Sequence, residues 1–318
     1  RVDRNATLAS PHVHAYGAAL LAELAQRYPE VSGFRIDWPE YPPYDLRSAL
    51  FDFSTHARAA LRDQGVEPMA YGQLVMQHLG RWQAAARNAA PHGAMAVRDS
   101  LRQAGWDDFF GARGDGEPLW ASKRASVTTM LQSYRQALDQ VSGPRRSLQP
   151  QVFPAPWSQW SGFAWDALPG SADAVGVKLY TMHWPMMARD WARDLVGPAP
   201  GPALDVVTAA MADFLGCCDE ASPNGARLHY PPPDQPHPVG AQAQRNKLQQ
   251  AQALAGAVPV IAYTHSYGPL ADVQARFALA VQASQQPGAS AQVWINRYGY
   301  LSDAKLAALA TVVQAARQ

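Results

Sequence analysis

Within "VSGFRIDWPEYPPY" (Val31–Tyr44), an apolar run carries Arg35 and Asp37 and then breaks on prolines around Glu40, Tyr41 and Tyr44. Side chains alternate across a strand, so Arg35 and Asp37 share one face while Phe34, Ile36 and Trp38 share the other. A carboxylate steered by a neighbouring cation, with a second carboxylic acid three residues later, could attack a carbon and protonate a leaving oxygen. The alternative for the Arg35–Asp37 pair is a structural ion pair that closes a barrel. Pro39, Pro42 and Pro43 would stiffen the loop that presents Glu40, Tyr41 and Tyr44.

Three further apolar runs repeat the arrangement. In "DAVGVKLYTMHWP" (Asp173–Pro185), Lys178, Tyr180 and Met182 oppose Val177 and Leu179. In "VPVIAYTHSYGP" (Val258–Pro269), Tyr263 and His265 oppose Val260 and Ala262. In "AQVWINRYGY" (Ala291–Tyr300), Trp294, Asn296 and Tyr298 oppose Val293 and Ile295. "LQPQVFPAPW" (Leu148–Trp157) adds a strand that runs into a proline-rich loop.

The elements between these strands read as helices. Ser10-Pro11 caps one that precedes the first strand. Others are expected over about 45–64, 74–90, 119–141, 203–215 and 241–255, and one after each of the last two strands. Strands separated by helices pair in parallel through crossovers. A doubly wound sheet would be apolar on both faces. One polar face, crowded toward the C-terminal strand ends, predicts instead an α/β fold of the (β/α)8 TIM-barrel type, a single domain over 1–318, with its site at the C-terminal mouth.

Aromatic residues recur at these exits: Trp157, Trp160, Tyr180, Trp184, Tyr263, Tyr267, Trp294, Tyr298 and Tyr300. Flat rings with one polar handle suit the faces of sugars. A carbohydrate is therefore the expected substrate. Asp37 and Glu40 are the candidate catalytic pair. The expected substrate-binding set is Arg35, Tyr41, Trp157, Lys178, Tyr180, His183, Trp184, Tyr263, His265, Trp294, Asn296 and Tyr298.

The stretch Asn5–Pro43 resembles the middle of bacterial glycoside-hydrolase-like TIM barrels related to the α-amylase barrels, through Pro11, Val13, Tyr16, Gly33, Asp37, Tyr41 and Pro42. The resemblance implies that the first strand is the fourth of a barrel and that Asp37 sits in a catalytic cleft, as nucleophile or base. The chain would then hold strands four to eight of an N-terminally truncated barrel. Open sheet edges are a liability that such a truncation creates. Glu40 is the nearest second carboxylic acid, as acid catalyst; otherwise the second carboxylate lies outside this chain.

Two other classes compete. A barrel that binds carbohydrate without cutting it fits the shortage of carboxylates. A metal-dependent amidohydrolase could draw on His12, His14, Lys178, His183, His265 and Asp303, but His12 and His14 fall in the first turn of a helix, where residues two apart do not face each other. "GARGDG" (Gly111–Gly116) lacks the preceding strand that a dinucleotide site requires and reads as a surface turn. No cofactor or metal is expected.

A formal net charge of +1 gives no field for nucleic acid, and no apolar run is long enough to span a membrane. Cys217 and Cys218 are adjacent and frame no disulfide scaffold. Abundant alanine and arginine, with lysine confined to Lys123, Lys178, Lys247 and Lys305, suggest a bacterial source with GC-rich DNA. A soluble protein is expected, exported if a leader precedes Arg1. Oligomeric state is not indicated.

Overall fold

The computed structural model describes residues 6–111, 113–220, 223–285 and 292–317. Ala112, in the glycine-rich turn, and Ala291, ahead of the last strand, lie outside them. Helix α1 (Pro11–Arg27) begins with proline at its first position, where the missing N–H costs nothing. It leads into strand β1 (Gly33–Asp37).

The chain then makes a long helical excursion before returning to the sheet. It comprises α2 (Leu46–Ala49), α3 (Thr55–Asp63), α4 (Pro68–Ala89), α5 (Ala94–Gln103), α6 (Trp106–Phe110) and α7 (Glu117–Asp139). Strand β2 (Ser147–Val152) is followed by the short α8 (Trp157–Trp160), and β3 (Val175–Lys178) by α9 (His183–Val196), α10 (Pro202–Phe214) and α11 (Ala241–Ala255). Strand β4 (Val260–His265), α12 (Leu270–Ser284), β5 (Gln292–Asn296) and α13 (Asp303–Ala315) complete the order.

Each strand pairs in parallel with its predecessor, so the sheet runs β1-β2-β3-β4-β5. This corrects the expected (β/α)8 barrel. The described residues form one curved five-stranded half-barrel whose edges are β1 and β5, and the numbering of its strands as four to eight of a truncated barrel falls with the closed barrel. The reason is physical. Alternation along a strand reports which face meets helices, and an open curved sheet has the same concave–convex asymmetry as a closed one.

The convex residues Leu148, Val152, Val175, Val177 and Ala262 join the main core. Under the excursion lies an aromatic cluster in which Trp82 and Trp106 centroids are 5.0 Å apart, and Trp160 lies 4.8 Å from Phe110 and 5.3 Å from Trp191. The helix expected over about 45–64 is two, α2 and α3, broken between residues 50 and 54, and two boundaries move. Helix α4 starts at Pro68, capped by the Glu67 side chain on the Ala70 N–H, rather than near residue 74. Strand β3 stops at Lys178, and His183 already begins α9.

Candidate active site at the C-terminal end of the sheet

The last residues of β1, β3, β4 and β5 are Asp37, Lys178, His265 and Asn296. Parallel pairing therefore brings these four chemistry-bearing side chains to one end of the sheet. The buried Lys178 ammonium meets Asp37 Oδ1 at 2.9 Å, while the Asp37 side chain is 71% exposed. Lys178 also lies 5.1 Å from the Phe153 ring centre and 5.3 Å from that of Trp38. A carboxylate open to solvent and anchored on a buried cation is oriented from behind and free in front.

Arg35 does not serve Asp37 as the sequence suggested. Its guanidinium crosses the concave face and sits 3.1 Å from the Trp294 ring centre, with Nε donating to Gln149 Oε1 at 3.4 Å. In a flat sheet β1 and β5 would stand roughly 19 Å apart, beyond an arginine's reach, so the contact records the sheet's curvature. Trp294 in turn stacks on Tyr263, 6.0 Å and 13° apart. Gly176 makes room for that stack: a Cβ there would lie 2.7 Å from the Tyr263 ring.

Beyond Asp37 the backbone turns left-handed at Trp38, with φ 63°, a conformation that a bulky residue adopts only when its surroundings impose it. The turn carries Glu40 inward. Its carboxylate is buried, accepts from the Phe153 N–H at 2.5 Å and from the Ser161 hydroxyl, and so ties the exit of β1 to that of β2. Burial pushes the Glu40 carboxyl up to about 7, against the opposing charge of Lys178 and its two hydrogen bonds. Glu40, Trp38, Tyr41 and Asp52 line a cavity of about 720 Å³ beside β1.

On the other side of Lys178 the cleft is walled by rings. His183 lies 5.8 Å from each of Tyr44, Tyr180 and Tyr230, and His265 lies 5.1 Å from Tyr180 and 5.9 Å from Tyr300. The Asn296 amide donates to the Tyr180 hydroxyl at 2.6 Å. His265 Nδ1 accepts from the Tyr267 N–H at 3.0 Å, which leaves the proton of the neutral ring on Nε2 as a donor. Burial, then the charges of Lys178 and Arg297, hold His183 down to about 4; burial, then His183 and Arg297, hold His265 down to about 3. Both rings are neutral at pH 7.

The sequence-derived set therefore divides. Arg35, Asp37, Lys178, Tyr180, His183, Tyr263, His265, Trp294 and Asn296 gather on the concave face or its mouth. Tyr298, 81% exposed, stands on the outer rim, and Tyr41 is buried 5.1 Å from the Lys123 ammonium. Trp157 opens α8 and Trp184 lies in the first turn of α9; both turn into the core, where they enclose Lys247 at 4.5 and 5.4 Å. Phe153, Tyr230 and Arg297 also stand at this mouth although sequence reasoning passed over them, and Tyr44, expected in the loop after β1, joins them. For Arg297 there was a signal, its place directly after Asn296.

His12 and His14 are on α1; His14 Nε2 contacts the Leu8 carbonyl at 2.5 Å, and His12 lies by His56, so neither joins His183 or His265. Among the described residues no group of three or more His, Cys, Asp and Glu side chains is disposed to hold a metal ion. None of the helices is long and apolar enough to cross a membrane among the described residues. No protein-family profile, curated protein or solved structure matches the chain.

Proposed function

We propose that the protein is a glycoside hydrolase acting on an oligo- or polysaccharide, with Asp37 as nucleophile or base and Glu40 as acid. The observation that carries this reading is the pair of unlike carboxyls around one lysine. Asp37 is open to solvent on Lys178, whereas Glu40 is buried with its carboxyl raised to about 7. Glycosidic cleavage uses two carboxyl groups in unlike surroundings, one of them buried so that it keeps its proton to give to the leaving oxygen.

In this reading a sugar ring lies against the Arg35–Trp294–Tyr263 stack or the Tyr180–Tyr230–Tyr267 wall, with His265 Nε2–H and Asn296 as partners for its hydroxyls. Glu40 delivers its proton to the departing glycosidic oxygen as the C–O bond breaks. Asp37 either bonds to the anomeric carbon or takes the proton of the water that does. Lys178 holds Asp37 in place.

A second reading has one observation in its favour. Glu40 already accepts from Phe153 and Ser161 and is 2% exposed, as a purely structural carboxylate would be. The cleft would then bind sugars without cutting them. Turnover and binding measured together on a panel of polysaccharides separate the two: release of reducing ends supports the hydrolase, and binding without any release supports the binding module.

A further inference from the structure

We propose that the cleft takes an acidic oligosaccharide and that Arg297 receives the carboxylate of one of its uronic acid units. This rests on the carbohydrate part of the reading above and not on cleavage.

Asp37 is matched by Lys178, and Glu40 is buried on the β2 exit. The guanidinium of Arg35 is taken up by Trp294 and Gln149. The Lys305 ammonium donates to the carbonyls of Ser266 at 2.8 Å and Tyr300 at 3.0 Å. Arg297 remains: its side chain is exposed and has no hydrogen-bond or ion-pair partner among the described residues. The cleft thus has a surplus of positive charge with one guanidinium still to be matched.

The backbone beneath that guanidinium is held in a costly conformation. Among the described residues, the non-glycine positions with positive φ are Trp38 and Arg297, each directly after the last residue of a strand that carries the site. At Arg297, φ is 69°. Asn296 Oδ1 accepts from the Arg297 N–H at 2.9 Å, and the Ser266 hydroxyl contacts the Asn296 and Arg297 carbonyls at 2.8 and 2.5 Å. Asn296 is itself bonded to Tyr180. A side chain-bearing residue kept left-handed by three such contacts is placed rather than tolerated.

Arg297 directly follows Asn296, whose amide bonds the Tyr180 hydroxyl, so its side chain leaves the backbone beside the rings that wall the cleft. A planar guanidinium presents paired N–H donors that match a carboxylate's two oxygens, and the adjoining rings suit the sugar that carries it.

The test uses the 318-residue chain and three oligosaccharide probes, from polygalacturonate, alginate and hyaluronan, each beside its carboxyl-reduced form. Calorimetric binding is expected to favour at least one acidic probe over its reduced form by about tenfold or more, as a charge-assisted bond lost would give. Arg297→Gln should bring that ratio close to one, and Arg297→Lys should retain part of it. Equal binding of acidic and reduced forms by the parent chain would overturn the proposal. So would a preference that survives Arg297→Gln, or equally tight binding of a sulfated neutral glucan, which marks general anion attraction. Acidic glycans bound but never cut would leave this subsite standing and remove the hydrolase reading. Neutral glycans cut without any acidic preference would do the reverse.

Discussion

Lys178 and Lys247 are buried in nearly the same manner, and only Lys178 stands at the candidate site. Each faces two aromatic rings at about 5 Å, Trp38 and Phe153 for Lys178, Trp157 and Trp184 for Lys247. Lys247 donates to the carbonyls of Ala155 at 2.9 Å and Leu215 at 2.7 Å, so its ammonium stitches two loops together. Lys178 donates instead to a carboxylate that opens on solvent at the end of a strand. A buried cation over tryptophan is therefore not a mark of function. What distinguishes the site is the titratable partner and its access to water.

The largest effect is expected at the tryptophans around Lys247. Trp157→Ala removes a fully buried ring beside Lys247 and should cost about 3–5 kcal/mol of stability, read by denaturant unfolding. Sugar affinity of the folded fraction should not change. An affinity loss without a stability loss would return Trp157 to the cleft.

Next in size is Glu40→Gln, expected to lower turnover about 10²-fold on glycosides with poor leaving groups and far less on activated aryl glycosides. The parent enzyme's kcat should fall as pH rises past about 7, where the buried acid loses its proton, and the variant should lack that limb. Stability carries the same signature. Because the folded state holds this proton more tightly than the unfolded chain, the contribution is fully present below about 4.5 and is lost as pH rises through about 7. An unchanged pH profile in the variant would make Glu40 a structural tie between loops.

Lys247→Met leaves two buried carbonyls unpaired and should cost about 1–3 kcal/mol at pH 7. Burial holds the Lys247 ammonium down to about 8, so the unfolded chain binds the extra proton between about 8 and 10.5 and the parent gains stability as pH rises through that window. The gap between the parent and variant curves should widen there. A constant gap would mean that Lys247 titrates normally.

The smallest effect belongs to Trp294→Ala. Loss of the half-exposed Arg35 stack should cost about 0.5–1 kcal/mol in stability, while weakening sugar binding measurably. A change in stability alone would place the stack outside the binding surface.

Much of this site was legible because strand alternation is a local property. The positions of Asp37, Lys178, His265 and Asn296 follow from period-two patterning and parallel pairing, and both can be read along the chain. Closure cannot, because it depends on contacts between strands far apart in sequence, and the expected eight-stranded barrel was lost there. Trp157 and Trp184 were misplaced for a related reason. Each is expected at a strand exit but lies in the first turn of a helix, which turns its ring by a geometry that alternation does not encode. The Arg35–Asp37 pairing failed because two residues on one face need not touch: Lys178 arrives from β3 and Trp294 from β5, and only the curvature of the sheet decides which partner each one meets.

The most direct measurement is Asp37→Asn in the 318-residue chain, with kcat and sugar Kd taken on the same preparation against a glycan that the parent cleaves. An amide keeps the shape and can still accept from Lys178, but it can neither attack nor take a proton. The expected result is a fall in kcat of about 10³-fold or more with Kd nearly unchanged. Full turnover in Asp37→Asn would contradict the account, leaving Asp37 as the structural counter-ion of Lys178.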